Sequence, residues 1–168
     1  MRRILILFFI SSVFAISGKA AADWDNRPEN LNPEEKCFRD SITSFAQNFI
    51  GIPYKWGGAT KDGFDCSGFV YFVFKQFGIT VSRSSSAYEG IGEKVALEAS
   101  LPGDIILFTG TDATKRKVGH LGIVLKNEAG ELDFIHSSSS KKHFGVTITR
   151  YYSSGYVKRF LRVINVIS

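Results

Sequence analysis

The sequence predicts an α+β domain in which N-terminal helices pack on a central antiparallel sheet. Three observations carry this expectation. Apolar residues recur at helical spacing only in the first half of the chain, up to about residue 89. The second half is instead a series of short aromatic and β-branched runs, separated by Gly, Pro and Asn turns. Helices first and strands afterwards is the order of a segregated α+β layout, and 168 residues suffice for one such domain. Charged residues at 22% and aromatic residues at 14% exclude a disordered chain and leave enough apolar side chains to bury a core.

Taken in order, the chain opens with Arg2 and Arg3, followed by an uncharged and mostly apolar run from Ile4 to Ile16. A bilayer-spanning helix needs ~20 residues, so this run is too short to span comfortably and has the length of a signal-peptide core. Ala20 and Ala22 supply small residues for cleavage after Ala22, and no cysteine near the cut supports a lipid anchor. An uncleaved N-terminal anchor is the competing reading. Residues 1–22 are therefore expected to be a signal peptide, 23–33 a polar leader, and 34–168 the folded domain. The protein is expected to be exported, to a periplasm or to the cell wall and medium, with no stable membrane anchor after cleavage. The formal charge of +5 then shrinks, because Arg2, Arg3 and Lys19 leave with the signal. What remains basic, Lys115-Arg116-Lys117 and Lys141-Lys142, forms short clusters of the kind found in solvated loops, which gives no ground for nucleic-acid binding.

Asn32-Pro33-Glu34-Glu35 begins the first helix, with Asn as N-cap, Pro at the first position and Glu35 placed for a capping box. Phe38, Ile42, Phe45 and Phe49 mark its buried face, and Gly51 stops it. Residues 51–63 read as a Gly- and aromatic-rich loop. A second helix starts at Asp65 or Cys66 and runs to Phe77, burying Phe69, Val70, Val73 and Phe77. Ser86–Glu89 fits a short third helix. Strands are expected at Ile105–Phe108, Gly119–Leu125, Leu132–His136, Val146–Thr149 and Tyr156–Val166, with a turn at Asn127–Gly130.

Cys66 is the residue with most chemical information. At a helix start, unpaired backbone N–H groups and the helix dipole favour a thiolate, and the small Ser67 and Gly68 leave room for a substrate carbonyl. A free cysteine is more often an inert buried thiol, so Cys66 by itself decides nothing. A thiolate nucleophile needs a base, and the chain has three histidines. His120 begins a strand on the face opposite Leu121 and Ile123. His136 ends a strand on the face of Leu132 and Phe134. Neighbouring strands would set the two imidazoles side by side, one as base and one as its orienting partner. His143, between lysines and a phenylalanine, reads as a surface residue. Cys37 reads as a partly buried small hydrophobe on the first helix; a Cys37–Cys66 disulfide would block the nucleophile. The cysteines and histidines lack zinc-ligand spacing, so no metal and no cofactor is expected.

Tyr54-Lys55-Trp56-Gly57-Gly58 and Gly63-Phe64-Asp65-Cys66-Ser67-Gly68-Phe69-Val70 resemble the signature of the NlpC/P60 cell-wall cysteine peptidases. Further landmarks follow in that family's order: Arg83-Ser84-Ser85, Pro102–Phe108, Gly119–Ile123, Phe134-Ile135-His136 and the closing Tyr156–Val163. Together they cover the chain from about Phe45 to its end. The loop Thr109–Val118 is longer than the pattern. The resemblance implies a papain-like fold with Cys66 as nucleophile, His120 as base and His136 as the third polar residue. It implies that Tyr54 borders the site, and that Asp65 and Ser67 line the substrate groove around a free amine or carboxylate. The implied activity is a cysteine endopeptidase acting on peptidoglycan stem peptides, commonly at the bond between D-glutamate and a diamino acid or at the cross-link; the protein is expected to be a monomer. The competing readings are a non-catalytic wall-binding or partner-binding module of the same fold and a secreted antibacterial toxin that degrades the wall.

Overall fold

Asn32 opens the described chain's first helix as its sequence position suggests. In the computed structural model, which describes residues 31–167, its side chain accepts the Glu34 amide at 2.9 Å and Pro33 occupies the first turn. The signal-peptide assignment and most of the polar leader lie outside the described residues. Helix α1 spans Pro33–Gln47. Glu35 does not close a capping box; its carboxylate takes the Arg39 Nε at 2.9 Å one turn on. The face of α1 also differs from the expected one. Arg39, Ile42, Thr43 and Ala46 are buried, while Phe38 is more than a third exposed. Arg39 is drawn inward by a buried ion pair with Asp104 at 3.0 Å and by the Pro102 carbonyl and the Asn165 side chain. Cys37, expected to be partly buried, lies on the exposed side of the helix as a free thiol. A helix turns 100° per residue, so burying Arg39 rotates Cys37 outward.

The Gly-rich segment is not wholly loop. It holds a tight antiparallel pair, β1 (Ala59–Thr60) with β2 (Gly63–Phe64), which leads directly into helix α2 (Cys66–Gln76). A 3₁₀ turn follows at Ser85–Glu89, where a short helix is expected. Then come β3 (Glu93–Val95), a 3₁₀ turn at Leu97–Ala99, β4 (Ile105–Thr109), β5 (Val118–Glu128), β6 (Glu131–Ser140) and β7 (His143–Arg150). A final 3₁₀ turn at Gly155–Arg159 replaces the start of the expected last strand, and β8 is Phe160–Asn165. Residues β3 to β8 make one antiparallel sheet in the order β3-β8-β4-β5-β6-β7. The β5–β6 hairpin turns through Ala129 and Gly130, both at positive φ, within the predicted turn.

The sheet buries both faces. Against α1 and α2 it presents Leu107, Leu121, Ile123 and Ile135, packed with Ile42, Phe69, Val73 and Phe74. The opposite face carries Ile106, Phe108, Val124, Phe134 and Val163, covered by Tyr151 and Tyr156. Strand alternation therefore sends adjacent residues of β5 and β6 to different compartments. The architecture is two helices on an antiparallel α+β sheet, as the order of elements predicts. No described helix is long and apolar enough to cross a membrane.

Candidate active site

Asp65 is the residue that fixes the start of α2. One carboxylate oxygen accepts the Gly68 amide at 2.6 Å, the other accepts the Gly57 amide at 3.0 Å, and Arg83 binds both oxygens at 2.9 and 2.8 Å. This bidentate clamp also ties in Ser67 Oγ and the Gly58 carbonyl, each 3.1 Å from an Arg83 nitrogen. Helix and loop approach so closely here that a Cβ on Gly68 would collide with the Gly58 carbonyl. Cys66 is thereby held in one orientation at the first helical position. The first intrahelical bond runs from the Phe69 amide to the Asp65 carbonyl, and Gly68 is taken by the cap. The amides of Cys66 and Ser67 have no intrahelical partner and point out of the helix end.

Cys66 lies in a groove of about 510 Å³ that it shares with Tyr54, Asp65, Ser67, Arg83 and His120. Trp56 stands almost fully exposed at its edge, and Tyr54 packs edge-on against Phe144. The helix start does not leave Cys66 as a thiolate. Burial pushes its thiol up to about 11, and the Asp65 carboxylate adds to the rise; the amides of Ser67, Leu121 and Cys66 itself oppose it with less effect.

The histidines come together as their strands predict. His120 Nε2 and His136 Nδ1 are 2.9 Å apart, with the rings edge-on. His120 projects away from Leu121 and Ile123, onto the face of Phe108 and Phe134. Gly122 lies between them on β5, and a Cβ there would meet the Ile135 carbonyl and the Phe134 ring at 2.8 Å and His136 Cβ at 3.1 Å. The line continues from His136 Nε2 to Thr149 Oγ1 at 2.9 Å. Tyr156 stacks on His120 and sets its hydroxyl 3.3 Å from the same Nε2. Burial first, then His136 and Arg159, hold His120 well below the ordinary histidine range. Burial, then Arg159 and His143, bring His136 down to about 3. Both rings are neutral at pH 7.

Among the described residues no hydrogen bond joins Cys66 to either histidine, although Cys66 and His120 line one groove. His120 Nε2 is engaged by two partners, while its Nδ1 makes no hydrogen bond among the described residues. His143 stays apart from this groove, as expected of a surface residue. Arg83 reads in sequence only as a landmark, and Thr149 does not stand out at all. Tyr156 is marked only as the start of the closing segment. The arrangement can bring a carbonyl to a sulfur beside the Cys66 and Ser67 amides, with the neutral His120 ring lining the same groove.

A cysteine at a helix N-terminus thus shares a groove with one of two paired histidines that stand on an antiparallel sheet. The chain belongs to the NlpC/P60 family, whose profile matches residues 51–165. It is 44% identical over 119 residues to the Bacillus subtilis gamma-DL-glutamyl hydrolase, covering 70% of this chain and 26% of that protein. It is 32% identical over 121 residues to a gamma-D-glutamyl-L-lysine dipeptidyl-peptidase of Bacillus cereus, covering 72% of this chain and 34% of that one. The chain thus spans about a quarter to a third of the length of these curated relatives. Among solved structures, it superposes on the NlpC/p60 domain of the peptidoglycan hydrolase SagA with a TM-score of 0.59 and 26% identity, covering 76% of this chain and 97% of that domain.

Proposed function

We propose that the protein is a cysteine endopeptidase that hydrolyses amide bonds in peptidoglycan stem peptides, with Cys66 as nucleophile, His120 as base and His136 as its orienting partner. The observation that carries this is that Cys66 and His120 line one groove while His120 Nε2 is committed to His136, which leaves its Nδ1 without a hydrogen bond among the described residues. With a neutral thiol and a neutral imidazole at rest, proton transfer accompanies attack. As the Cys66 sulfur bonds to the substrate carbonyl carbon, its proton passes to His120 Nδ1. The oxyanion is met by the amides of Cys66 and Ser67 at the α2 N-terminus. His120 then gives that proton to the leaving amine as the C–N bond breaks, leaving a thioester. Water then attacks the thioester as His120 takes its proton; the C–S bond breaks, the acid product departs, and His120 returns that proton to the Cys66 sulfur.

His136 keeps the base in the useful tautomer. For Nδ1 of His120 to be unprotonated, its Nε2 carries the hydrogen and donates to His136 Nδ1. His136 Nε2 then donates to Thr149 Oγ1. Asp65 and Ser67, joined through Arg83, form the wall that meets the acyl portion of the substrate, and Tyr54 closes the opposite side. The names of the two relatives above favour a γ-linked D-glutamyl bond as the one cut. Such a substrate lies outside the cytoplasm, consistent with residues 1–22 acting as an export signal. Mass spectrometry of muropeptides after incubation tests the reading. The expected product is a diamino acid peptide with a new free amine; a product set identical to that of the Cys66→Ala protein contradicts it.

A further inference from the structure

Behind the histidine pair is a second groove, of about 560 Å³, that the mechanism above leaves unused. His136 and Thr149 form part of its wall, and its cationic lining is Lys142, Arg150 and Arg159. The hydroxyls of Ser138, Ser140, Ser153 and Ser154 and the His143 side chain also line it, Ile148 supplies an apolar part of the wall, and no carboxylate lines the groove. The cations are incompletely neutralised. Lys142 has no ion pair among the described residues. Arg150 has only loose contacts, at 3.6 Å to Glu131 and 3.7 Å to Asp133. Arg159 lies over the Tyr156 ring and a terminal N–H donates to the Thr109 carbonyl at 2.8 Å, but its Nε is buried with no hydrogen-bond partner among the described residues. A buried donor without an acceptor is uncommon and costly. Converging cations and hydroxyls without a carboxylate are what an anion needs for charge-assisted hydrogen bonds.

The second groove shares part of its wall with the first. Arg159 lines both, and the bonded pair His120–His136 puts one ring in each. Position then assigns the groove to one side of the substrate. The leaving amine must approach His120 to receive its proton, so the segment attached to that amine runs past the histidines toward Arg159.

We propose that this groove is an anion subsite for the leaving segment of the substrate, taking a carboxylate or a phosphate between Lys142, Arg150 and Arg159. The leaving-side assignment rests on the peptidase reading; the anion site does not. Two probes separate its possible sources. One is the peptide L-Ala-γ-D-Glu-L-Lys-D-Ala ending in a carboxylate or in a carboxamide; the other is a glycerol-phosphate oligomer. Calorimetry on the Cys66→Ala protein reads binding without turnover, and the wild type reads cleavage of the same peptides.

The acid is expected to bind about tenfold more tightly than the amide, as a charge-assisted contact allows. The double variant Lys142→Gln/Arg150→Gln is expected to reduce that ratio to within about twofold, mainly through KM in the cleavage assay. Equal binding of acid and amide, with oligomer binding that the double variant abolishes, would assign the site to a phosphate-bearing wall polymer and still support an anion site. Equal binding with no oligomer bound, or an acid preference unchanged in the double variant, overturns the proposal. Acid preference in binding with neither peptide cleaved by the wild type leaves the groove standing and overturns the peptidase reading.

Discussion

Burial moves the two groups proposed to react in opposite directions: it raises the Cys66 thiol and lowers the His120 imidazole, so the resting pair carries no charge. A helix N-terminus alone argues for a thiolate, but desolvation and the adjacent Asp65 outweigh the amides that favour it. A thiol ionising near 11 is only about one part in 10⁴ thiolate at pH 7. In a Cys37→Ala background, which removes the exposed competing thiol, iodoacetamide alkylation of Cys66 is therefore expected to accelerate about tenfold per pH unit between pH 6 and 10. A rate already at its plateau below pH 8 contradicts this protonation state. Thr149 is the other residue whose role is local. If its oxygen accepts the hydrogen of His136 Nε2, Thr149→Val leaves that buried donor unpaired and frees the histidine tautomers. Activity on stem peptides is expected to fall ~10–100-fold, chiefly in kcat, as for other loss of an orienting partner. Wild-type kcat in the valine variant with full activity in Thr149→Ser would show that the hydroxyl is not needed.

Elements rather than residues decide how the site is assembled, and Asp104 shows how far that reaches. Asp104 immediately precedes β4, and its carboxylate pairs with Arg39 of α1 at 3.0 Å, with both side chains buried. Removing one partner of a buried pair strands the other, so Asp104→Ala is expected to destabilise the protein by about 3 kcal/mol. Urea unfolding checks this, and a change below about 1 kcal/mol would mean that Glu35, Pro102 and Asn165 alone satisfy the arginine. This pair also explains why the sequence misleads about α1. Periodicity places Phe38 inside, but Arg39 has a charged partner 65 residues away that no local pattern announces. Chemistry-bearing types are easier to find: Cys66, His120 and His136 are rare residues on readable elements, and alternation sends both histidines to one face. Thr149 and Tyr156 belong to common types whose role appears only when β6–β7 register sets Thr149 opposite Phe134, diagonal to His136. The extension of β6 through Ser137–Ser140 has the same cause. Serine favours turns, yet here the strand is held by a full ladder to β7 and by the Ser137 hydroxyl on the Phe64 carbonyl.

Across the whole molecule, keeping two imidazoles neutral inside the protein couples its stability to pH. Their ordinary pKa is 6.5 when unfolded; folding lowers His120 well below that and His136 to about 3. The unfolded chain therefore binds protons from about pH 6.5 downward while the folded chain does not. Stability is full above 6.5 and is lost as pH falls from there toward the folded pKa. For His136 alone, the loss at pH 5 is about 2 kcal/mol relative to neutral pH. Thermal melts between pH 7 and 4 should show a falling Tm, and His136→Asn should flatten part of that slope. A Tm unchanged across this range would mean that the histidines are not buried as neutral groups.

One of the two cysteines is proposed to carry catalysis from the start of α2, while the other, exposed on α1, takes no part. Release of soluble stem-peptide fragments from purified sacculi, compared for wild type, Cys37→Ala and Cys66→Ala, tests it directly. The account predicts equal release by wild type and Cys37→Ala, and none above background by Cys66→Ala with an unchanged fold by circular dichroism. Equal release by all three proteins, or loss on changing Cys37 alone, would contradict it.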